Sequence, residues 1–281
     1  MHKSMYADTY ALEEHFWWFV GMRAIGHAFL APLYPRGGRL DILDVGCGTG
    51  ANLQLLLAEY GAPVGIDFAR DAVVRARRRW PGEVLQASAD ALPFADASFD
   101  LVTAFGVICQ RGVRSDLAVL EECYRVLRPG GRVLLRVPAY PFLYAQHDRV
   151  GETRERYYRG QLRAVLERAG FVVEKCTHAN MWLFPLAAAK RLAERVRRPS
   201  NPTASDLQPL PRPLDTVFRW VLCSEAALIR RWELPVGLSL MALARKPMGV
   251  ARWVAPERPG VTAAPQSVAA AAPPTAVGAG R

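Results

Sequence analysis

The sequence has few of the features that mark secreted, membrane-spanning or metal-binding chains. Its 281 residues include five cysteines, which are widely spaced and form no C-x-x-C pair. We therefore expect neither a disulfide framework nor a metal site, and we predict a reducing, cytoplasmic location. The sequence has no run of about 18 apolar residues that could span a bilayer. Residues 1–14 lack the apolar segment of a secretory signal peptide.

Lysine is also scarce, and acidic residues are outnumbered. Only four of the 36 cationic residues are lysines, and 26 acidic residues leave a net charge of +10. An arginine bias follows either from a GC-rich genome or from bidentate recognition of carboxylate and phosphate groups, and the sequence leaves both open. The positive excess permits an anionic ligand, nucleic acid or a membrane surface, but it says nothing about the fold.

Short apolar segments alternate with amphipathic segments from residue 40 onward. This alternation predicts an α/β fold of the Rossmann-like type, with a mostly parallel seven-stranded sheet and helices on both faces. A turn is expected at 129–131, where the sequence is Pro-Gly-Gly. The predicted strands are 40–45, 63–66, 84–85, 99–105, 132–137, 171–175 and 234–246, and the predicted helices are 51–59, 71–80, 115–127, 161–169, 181–198 and 214–232.

The two ends of the chain differ from this middle part. Eight of the 27 aromatic residues lie in residues 1–36, and four of them are consecutive at 16–19. Four such side chains cannot all face one side of a helix, so another part of the protein or a ligand must cover some of them. Alanine, proline and glycine supply 16 of the last 26 residues, which predicts disorder. We predict an N-terminal helical lid at 1–36 and a cofactor-binding core at 37–178. A helical insertion at 179–234, a last core strand at 235–247 and a tail at 248–281 should follow.

The most informative segment is LDVGCGTG at 43–50, between a predicted strand and a predicted helix. Glycines allow the backbone to turn sharply and to approach a ligand closely. In an open parallel sheet, ligands bind at the carboxyl ends of such strands. The pattern alone is weak evidence, because Gly46, Gly48 and Ala51 also fit the dinucleotide-binding pattern G-x-G-x-x-A.

Three carboxylates distinguish between possible ligands. Asp44 lies two residues before the first glycine, where it would repel a pyrophosphate but would suit a cationic amino acid group. Asp67 ends the second strand, where it can accept hydrogen bonds from both ribose hydroxyls. Asp90 follows the third strand, where it can accept one from an adenine amino group. A ligand with an amino acid, a ribose and an adenine fits all three, although Asp67 taken alone could simply cap a helix.

With these residues the sequence resembles the class I S-adenosylmethionine-dependent methyltransferases. The resemblance implies S-adenosyl-L-methionine as cofactor and S-adenosyl-L-homocysteine as product. It also implies that ribose binds at Asp67 and that Phe105 lies near the transferred methyl group. The remaining implied cofactor residues are Asp44, Gly46, Cys47, Gly48, Phe68, Ala89, Asp90 and Ala91. The matching segments are LDVGCGTG (43–50), VGIDFA (64–69), ASADALPFADASFDLVTAF (87–105) and YRVLRPGGRVLLRVP (124–138).

The flanks resemble a narrower bacterial group of small-molecule methyltransferases, often of natural-product or saccharide pathways. The similar segments include EEHFWWF at 13–19, VPAY at 137–140 and RYY at 156–158. At 109–111 the chain carries Cys-Gln-Arg where many relatives carry Glu-His, so we expect no base from that position. Trp18 is predicted to stack near the sulfonium of the cofactor, and Arg23 to pair with its carboxylate. The alternatives are a packed helix for Trp18 and a surface position for Arg23.

Methyl transfer is an in-line displacement at a sulfonium carbon, so the protein must mainly align the reactants and exclude water. A hydroxyl acceptor also needs a base, whereas an amine or a carboxylate does not. His147 is the first candidate, because the adjacent Asp148 could orient its imidazole. His15 is the second candidate, and Tyr157 could hydrogen-bond a substrate. Each of them could instead be a loop, surface or packing residue.

We hypothesise methyl transfer to an oxygen or nitrogen of a small molecule. The alternatives are carbon methylation, a nucleic-acid methyltransferase, an NAD(P)-dependent oxidoreductase and a non-catalytic cofactor-binding protein. No N/D-P-P-Y/F motif or RNA-binding appendage occurs, so no nucleic acid is predicted as partner. The whole charge excess lies in residues 138–281, which should hold the substrate. An anionic acceptor, an anionic membrane surface near 181–186 and a solvated helix face would each explain it.

Overall fold

The computed structural model describes residues 3–196 and 210–249. Within them one seven-stranded sheet has the order β3-β2-β1-β4-β5-β7-β6. The strands β1 to β5 pair in parallel, and β7 runs antiparallel to both of its neighbours. The strands are β1 (Leu40–Val45), β2 (Gly61–Asp67), β3 (Val84–Gln86), β4 (Phe99–Phe105), β5 (Leu127–Pro138), β6 (Val172–Ala179) and β7 (Ser239–Arg245). The α/β, Rossmann-like, mostly parallel fold is therefore confirmed.

Helices cover both faces of this sheet, which explains why the central strands are apolar on both sides. In β1, Leu43 packs into the hydrophobic cluster on one face, whereas Ile42 packs into the cluster on the other. In β5, Leu135 packs into the same cluster as Leu43, and Leu134 packs into the same cluster as Ile42. The helices are α1 (Lys3–Leu12), α2 (Trp17–Leu30), α3 (Ala51–Leu55), α4 (Arg70–Arg79), α5 (Asp116–Val126), α6 (Gln146–Val150), α7 (Arg159–Arg168), α8 (Phe184–Val196) and α9 (Arg212–Arg231).

Several boundaries differ from the predictions. The helix predicted over 51–59 divides into α3 and a short 3-10 helix, Leu57–Glu59. The turn predicted at 129–131 lies within β5, because Leu127 already pairs with Phe99 across an irregularity in the strand register. The last strand begins at Ser239 rather than at 234. Pro235 lacks an N–H for strand pairing, which favours the later start.

Two other predictions concern segments near the ends of the described residues. The helix predicted over 181–198 begins at Phe184, and residues 197–209 lie outside the described part of the chain. The tail was predicted to be disordered, and its residues from 250 onward also lie outside the described part of the chain. Among the described helices, none is both long and apolar enough to cross a membrane.

The N-terminal aromatic run is covered by the insertion between β6 and β7. A Cβ atom on Gly21 of α2 would lie 2.5 Å from the Leu222 side chain of α9. The two helices can therefore pack this closely because Gly21 has no side chain. The ring centroids of Trp17 and Phe218 are 5.4 Å apart. The backbone N–H of Trp17 also donates to the Asp215 carboxylate at 3.0 Å. The lid and the insertion are therefore packed together.

Candidate active site

A cavity of about 1790 Å³ lies where several parallel strands end. The strand register brings the ends of β1, β2, β4 and β5 to the same edge of the sheet, since Val45 pairs with Ile66 and Ala104, and Phe105 pairs with Arg136. The cavity is larger than the roughly 300–1,000 Å³ of most small-molecule pockets. It therefore has room for two ligands side by side.

The glycine loop forms one end of this cavity. A Cβ atom on Gly46 would lie 2.5 Å from the Val107 side chain, and the backbone there has φ of +68°. Only glycine fits that combination easily. The next loop residues, Cys47 and Gly48, also line the cavity. The backbone N–H of Gly48 donates to the Asp67 carboxylate at 3.0 Å, which fixes the loop to the end of β2.

Asp67 lines the cavity directly beside this loop. Its second carboxylate oxygen accepts a hydrogen bond from the backbone N–H of Ala69 at 2.9 Å. Burial raises the pKa of this carboxyl group, and the two backbone donors partly oppose the shift. Each oxygen still has a second lone pair that can accept a ligand hydroxyl. Asp67 is thus oriented by the backbone and available to a diol.

Asp90 has a carboxylate oxygen that could accept a hydrogen bond from a ligand. Its side chain lines the cavity, and its buried Oδ1 atom has no hydrogen-bond partner within residues 3–196 and 210–249. Ala89 lines the cavity as well, whereas Ala91 is exposed and does not. The Phe68 ring is 76% exposed at the cavity wall, where it can stack on a planar ligand. These residues fit a purine with an amino group.

Asp44 lies behind the cavity wall rather than on it. One oxygen accepts a hydrogen bond from the Thr103 hydroxyl at 2.6 Å, while the other is buried without a partner. Burial raises the pKa of this carboxyl group to about 7, and the Thr103 hydrogen bond partly opposes the shift. The predicted direct contact between Asp44 and the cofactor is therefore replaced by a buried position one layer deeper.

The lid is fixed to the glycine loop by a buried cluster that the sequence did not reveal. Arg79, at the end of α4, forms an ion pair with Glu13, and the Thr49 hydroxyl donates to the same carboxylate. Arg79 also donates to the Thr49 carbonyl at 3.0 Å and lies 4.0 Å from the Tyr10 ring centroid. Glu13 belongs to the EEHFWWF segment, but nothing distinguishes Arg79 within an arginine-rich helix. The cluster joins α1, α4 and the glycine loop.

Trp18 and Arg23 both line the cavity, but their contacts differ from the predictions. Arg23 donates to the backbone carbonyls of Glu13 and Glu14, so it stabilises the corner between α1 and α2. The Trp18 ring is covered by the guanidinium of Arg136, which lies 4.8 Å from the ring centroid. Arg23 thus stabilises this corner and Trp18 contacts a cation of the protein, while their predicted contacts with the cofactor stay predictions.

Only one of the three predicted catalytic residues lines the cavity. His147 does so from α6. His15 is exposed outside the cavity. The Tyr157 hydroxyl lies 3.3 Å from Asp116 and 3.2 Å from Glu155, in a separate small pocket. The RYY segment shows that a tyrosine is present but does not show which way it faces.

The neighbour expected to orient His147 is engaged elsewhere. The buried Asp148 carboxylate forms ion pairs with Arg156 at 2.9 Å and with Arg191 at 3.2 Å. It also accepts a hydrogen bond from the backbone N–H of Ala145 at 2.8 Å. Asp148 therefore connects the segment after β5 to α8, and both segments form cavity wall.

Comparison with known proteins supports this description. Residues 43–135 match a family model described as a methyltransferase domain. The chain is 33% identical over 138 residues to an S-adenosylmethionine-dependent methyltransferase of Mycolicibacterium smegmatis, which covers 48% of this chain and 52% of that protein. It is 38% identical over 114 residues to a demethylmenaquinone methyltransferase of Lactococcus lactis, with 37% and 44% covered. The chain thus spans about half the length of the curated relatives it matches.

A solved structure shows the same fold. The chain superposes with a TM-score of 0.58 and 20% identity on a structure of the complex between the Haloferax volcanii Trm112 methyltransferase activator and a methyltransferase, covering 89% of this chain and 97% of the other. The fold is Rossmann-like, and residues 43–135 are similar to methyltransferase domains. The Mycolicibacterium smegmatis protein is named as S-adenosylmethionine-dependent, in agreement with the cofactor that the sequence predicts.

Proposed function

We propose that this protein transfers a methyl group from S-adenosyl-L-methionine to an oxygen or nitrogen of a small molecule, in natural-product or saccharide biosynthesis. The single observation that carries the proposal is the lining of one large cavity. It contains Asp67 and Asp90, which suit a ribose and an adenine, together with Phe105, the aromatic residues at 16–19 and separate polar groups.

The cofactor end would be held by groups already in place. Asp67 suits the ribose hydroxyls, Asp90 the adenine amino group, and the Phe68 ring a face of the purine. The bound cofactor supplies an activated methyl group on a sulfonium sulfur, so the protein need not activate the electrophile. The chain then has to position the acceptor and keep water out.

The remaining walls can perform both tasks. The helices α1, α2 and α8 contribute cavity-lining residues, so the acceptor would be enclosed by the lid and the insertion. His147 lines the same cavity, where a neutral imidazole could accept the proton of an acceptor hydroxyl. An amine acceptor would not need this step. Replacing His147 with glutamine should slow turnover of a hydroxyl acceptor by roughly a hundredfold while leaving cofactor affinity unchanged.

Carbon methylation is the second candidate, because several similar proteins carry the name demethylmenaquinone methyltransferase. When a ring hydroxyl ionises, electron density moves to the neighbouring ring carbon, which can then attack the methyl group. The same base and the same anion-binding surroundings would serve this reaction. Oxygen and carbon acceptors therefore share one requirement, an ionisable hydroxyl close to the methyl group.

Two measurements test the proposal. Calorimetry should show that the protein binds S-adenosyl-L-homocysteine and does not bind NADH. Incubation with methyl-carbon-13 S-adenosyl-L-methionine and a panel of hydroxyarenes, hydroquinones and arylamines should then label one class of product. The carbon-13 chemical shift distinguishes methyl groups on oxygen, nitrogen and carbon. Failure to bind S-adenosyl-L-homocysteine would overturn the proposal, and a carbon-bound label would select the second candidate.

A further inference from the structure

An arginine near the end of β5 lines the cavity and has no oxygen partner among the described residues. Arg136 interrupts the apolar strand segment 133–137, whose other residues are buried. Its backbone pairs with Phe105, and its carbonyl accepts a hydrogen bond from the Gly106 N–H at 2.7 Å. The side chain lines the cavity. The position is thus fixed by the sheet beside the segment implied to lie near the transferred methyl group.

Aromatic rings hold the guanidinium in place. Its central carbon lies 4.8 Å from the Trp18 ring centroid and 5.4 Å from that of Phe105. Neither ring supplies an oxygen acceptor for the five N–H donors of the guanidinium. Burial lowers the pKa of Arg136 to about 10, although buried Cys109 and Asp44 partly oppose the shift. The side chain remains charged at neutral pH.

Three other arginines that line the cavity are engaged with oxygen atoms, whereas the fifth, Arg70, is exposed at the start of α4. Arg23 donates to two backbone carbonyls, Arg156 to Asp148 and the Ala139 carbonyl, and Arg191 to Asp148 and the Leu143 carbonyl. Within the described residues, Arg136 has neither an ion pair nor a side-chain hydrogen bond, and its recorded contacts are the two rings. The Arg136 side chain is partly exposed to the cavity, and an anion bound there would pair with its N–H donors.

The order of the strands indicates where such an anion would lie. Along the sheet, β3 is followed by the adenine carboxylate Asp90, β2 ends at the ribose carboxylate Asp67, and β1 leads into the glycine loop. The next strand, β4, ends at Phe105, and Arg136 lies on β5. Neighbouring strands are about 4.8 Å apart, so Arg136 is roughly 10 Å beyond β1. It lies on the acceptor side of the methyl position.

We propose that Arg136 binds an anionic oxygen of the acceptor, either a carboxylate or an ionised ring hydroxyl, next to the atom that is methylated. This rests on the proposed function. An ionised hydroxyl would be stabilised as it loses its proton, and a carboxylate would hold the acceptor in line with the methyl group. The other anion that the cavity would receive is the carboxylate of the cofactor, and the experiment separates the two sources.

The probes are 1-naphthoate and 1-naphthamide, which share an aromatic frame suited to this cavity and differ in charge. Calorimetry is performed with protein saturated with S-adenosyl-L-homocysteine. Because charge-assisted hydrogen bonds are strong, wild type should bind naphthoate about ten- to a hundredfold more tightly than naphthamide. Arg136→Gln should lose this preference and keep its affinity for S-adenosyl-L-homocysteine within about threefold. Arg39→Gln, which removes an exposed charge outside the cavity, should behave as wild type.

A more conservative variant protects the test against misfolding. Arg136→Lys keeps the charge but loses the bidentate fork, so it should retain a smaller preference for naphthoate. The proposal is overturned if wild type shows no preference for naphthoate, or if both variants keep the full preference. It is also overturned if Arg136→Gln loses affinity for S-adenosyl-L-homocysteine but keeps the preference, because the guanidinium would then bind the cofactor. A wild type that does not bind S-adenosyl-L-homocysteine overturns the proposed function itself.

Discussion

The two ends of the cavity leave opposite kinds of polar group without partners. Among the described residues, the buried Oδ1 atom of Asp90 has no donor at the proposed cofactor end. At the proposed acceptor end, the guanidinium of Arg136 has no oxygen partner among the same residues. An unmatched acceptor indicates a donor on the ligand, and an unmatched donor indicates an acceptor. The comparison therefore points to amino and hydroxyl groups at one end and an anionic oxygen at the other.

The sequence distributes charge in the same way. The whole excess of +10 lies beyond residue 137, whereas the segment with the glycine loop is balanced. Part of that positive charge is neutralised within the protein, because Asp148 forms ion pairs with Arg156 and Arg191. Arg136 itself lies in the balanced part of the chain, so the net charge of a region did not reveal it. The environment of one side chain is more informative than the regional total.

The largest expected effect concerns the attachment of the lid to the cofactor end. Arg79→Ala removes the partner of buried Glu13 and should cost about 3–5 kcal/mol of unfolding free energy. For a domain of this size the melting temperature should fall by about 10 °C. Arg78→Ala, on the exposed side of the same helix, is the matched control. Equal melting temperatures for the two variants would show that the cluster does not hold the lid.

A loss of cofactor affinity should follow from the carboxylate at the end of β2. Asp67→Ala removes an acceptor for two ligand hydroxyls and also releases Gly48, so the Kd for S-adenosyl-L-homocysteine should rise at least a hundredfold, by about 3 kcal/mol. Asp67→Asn retains an oxygen for one backbone donor and should lie between wild type and alanine. Calorimetry that places both variants within threefold of wild type would argue against a ribose at this position.

A smaller effect should appear in the pH dependence of stability. Burial raises the folded-state pKa of Asp44 to about 7, whereas an unfolded aspartate titrates near about 4. The folded state therefore retains a proton that the unfolded state has lost, and stability falls as pH rises between those values. Asp44→Asn removes this titration, so its stability relative to wild type should increase by about 2–3 kcal/mol from pH 5 to pH 8. An identical difference at both pH values, measured by urea unfolding, would contradict this explanation.

The smallest effect is expected away from the cavity. Tyr157→Phe removes hydroxyl contacts with Asp116 and Glu155 in the separate pocket. It should lower the unfolding free energy by about 1 kcal/mol and change turnover by less than about twofold. If turnover instead fell more than tenfold while stability was unchanged, Tyr157 would take part in the reaction, and the acceptor site would extend to this residue.

Local patterns were sufficient to predict most of the sheet and the position of the glycine loop beside Asp67. Apolar runs that end at glycines place β1 and β4, and the spacing of Asp67 from the loop places the two together. These features depend on backbone requirements that recur in sequence. The start of β7 was missed because Pro235 excludes strand pairing within an otherwise apolar run.

The direction of individual side chains was not predictable in the same way. His15 and Tyr157 lie in suggestive segments, yet neither lines the cavity. Arg79 and Arg136 have no local signal beyond a charged residue near a helix end or within a strand. Their roles depend on partners that are distant in sequence, such as Glu13 and Trp18. Only tertiary packing reveals such pairs.

The most direct test of the two-ended cavity is a crystal structure of the complex with S-adenosyl-L-homocysteine. The account predicts ribose hydroxyls on Asp67, the adenine amino group on Asp90, and a sulfur that faces the region between Phe105 and Arg136. A complex with the adenine beside Arg136, or with the sulfur shielded from that region by protein, would contradict it.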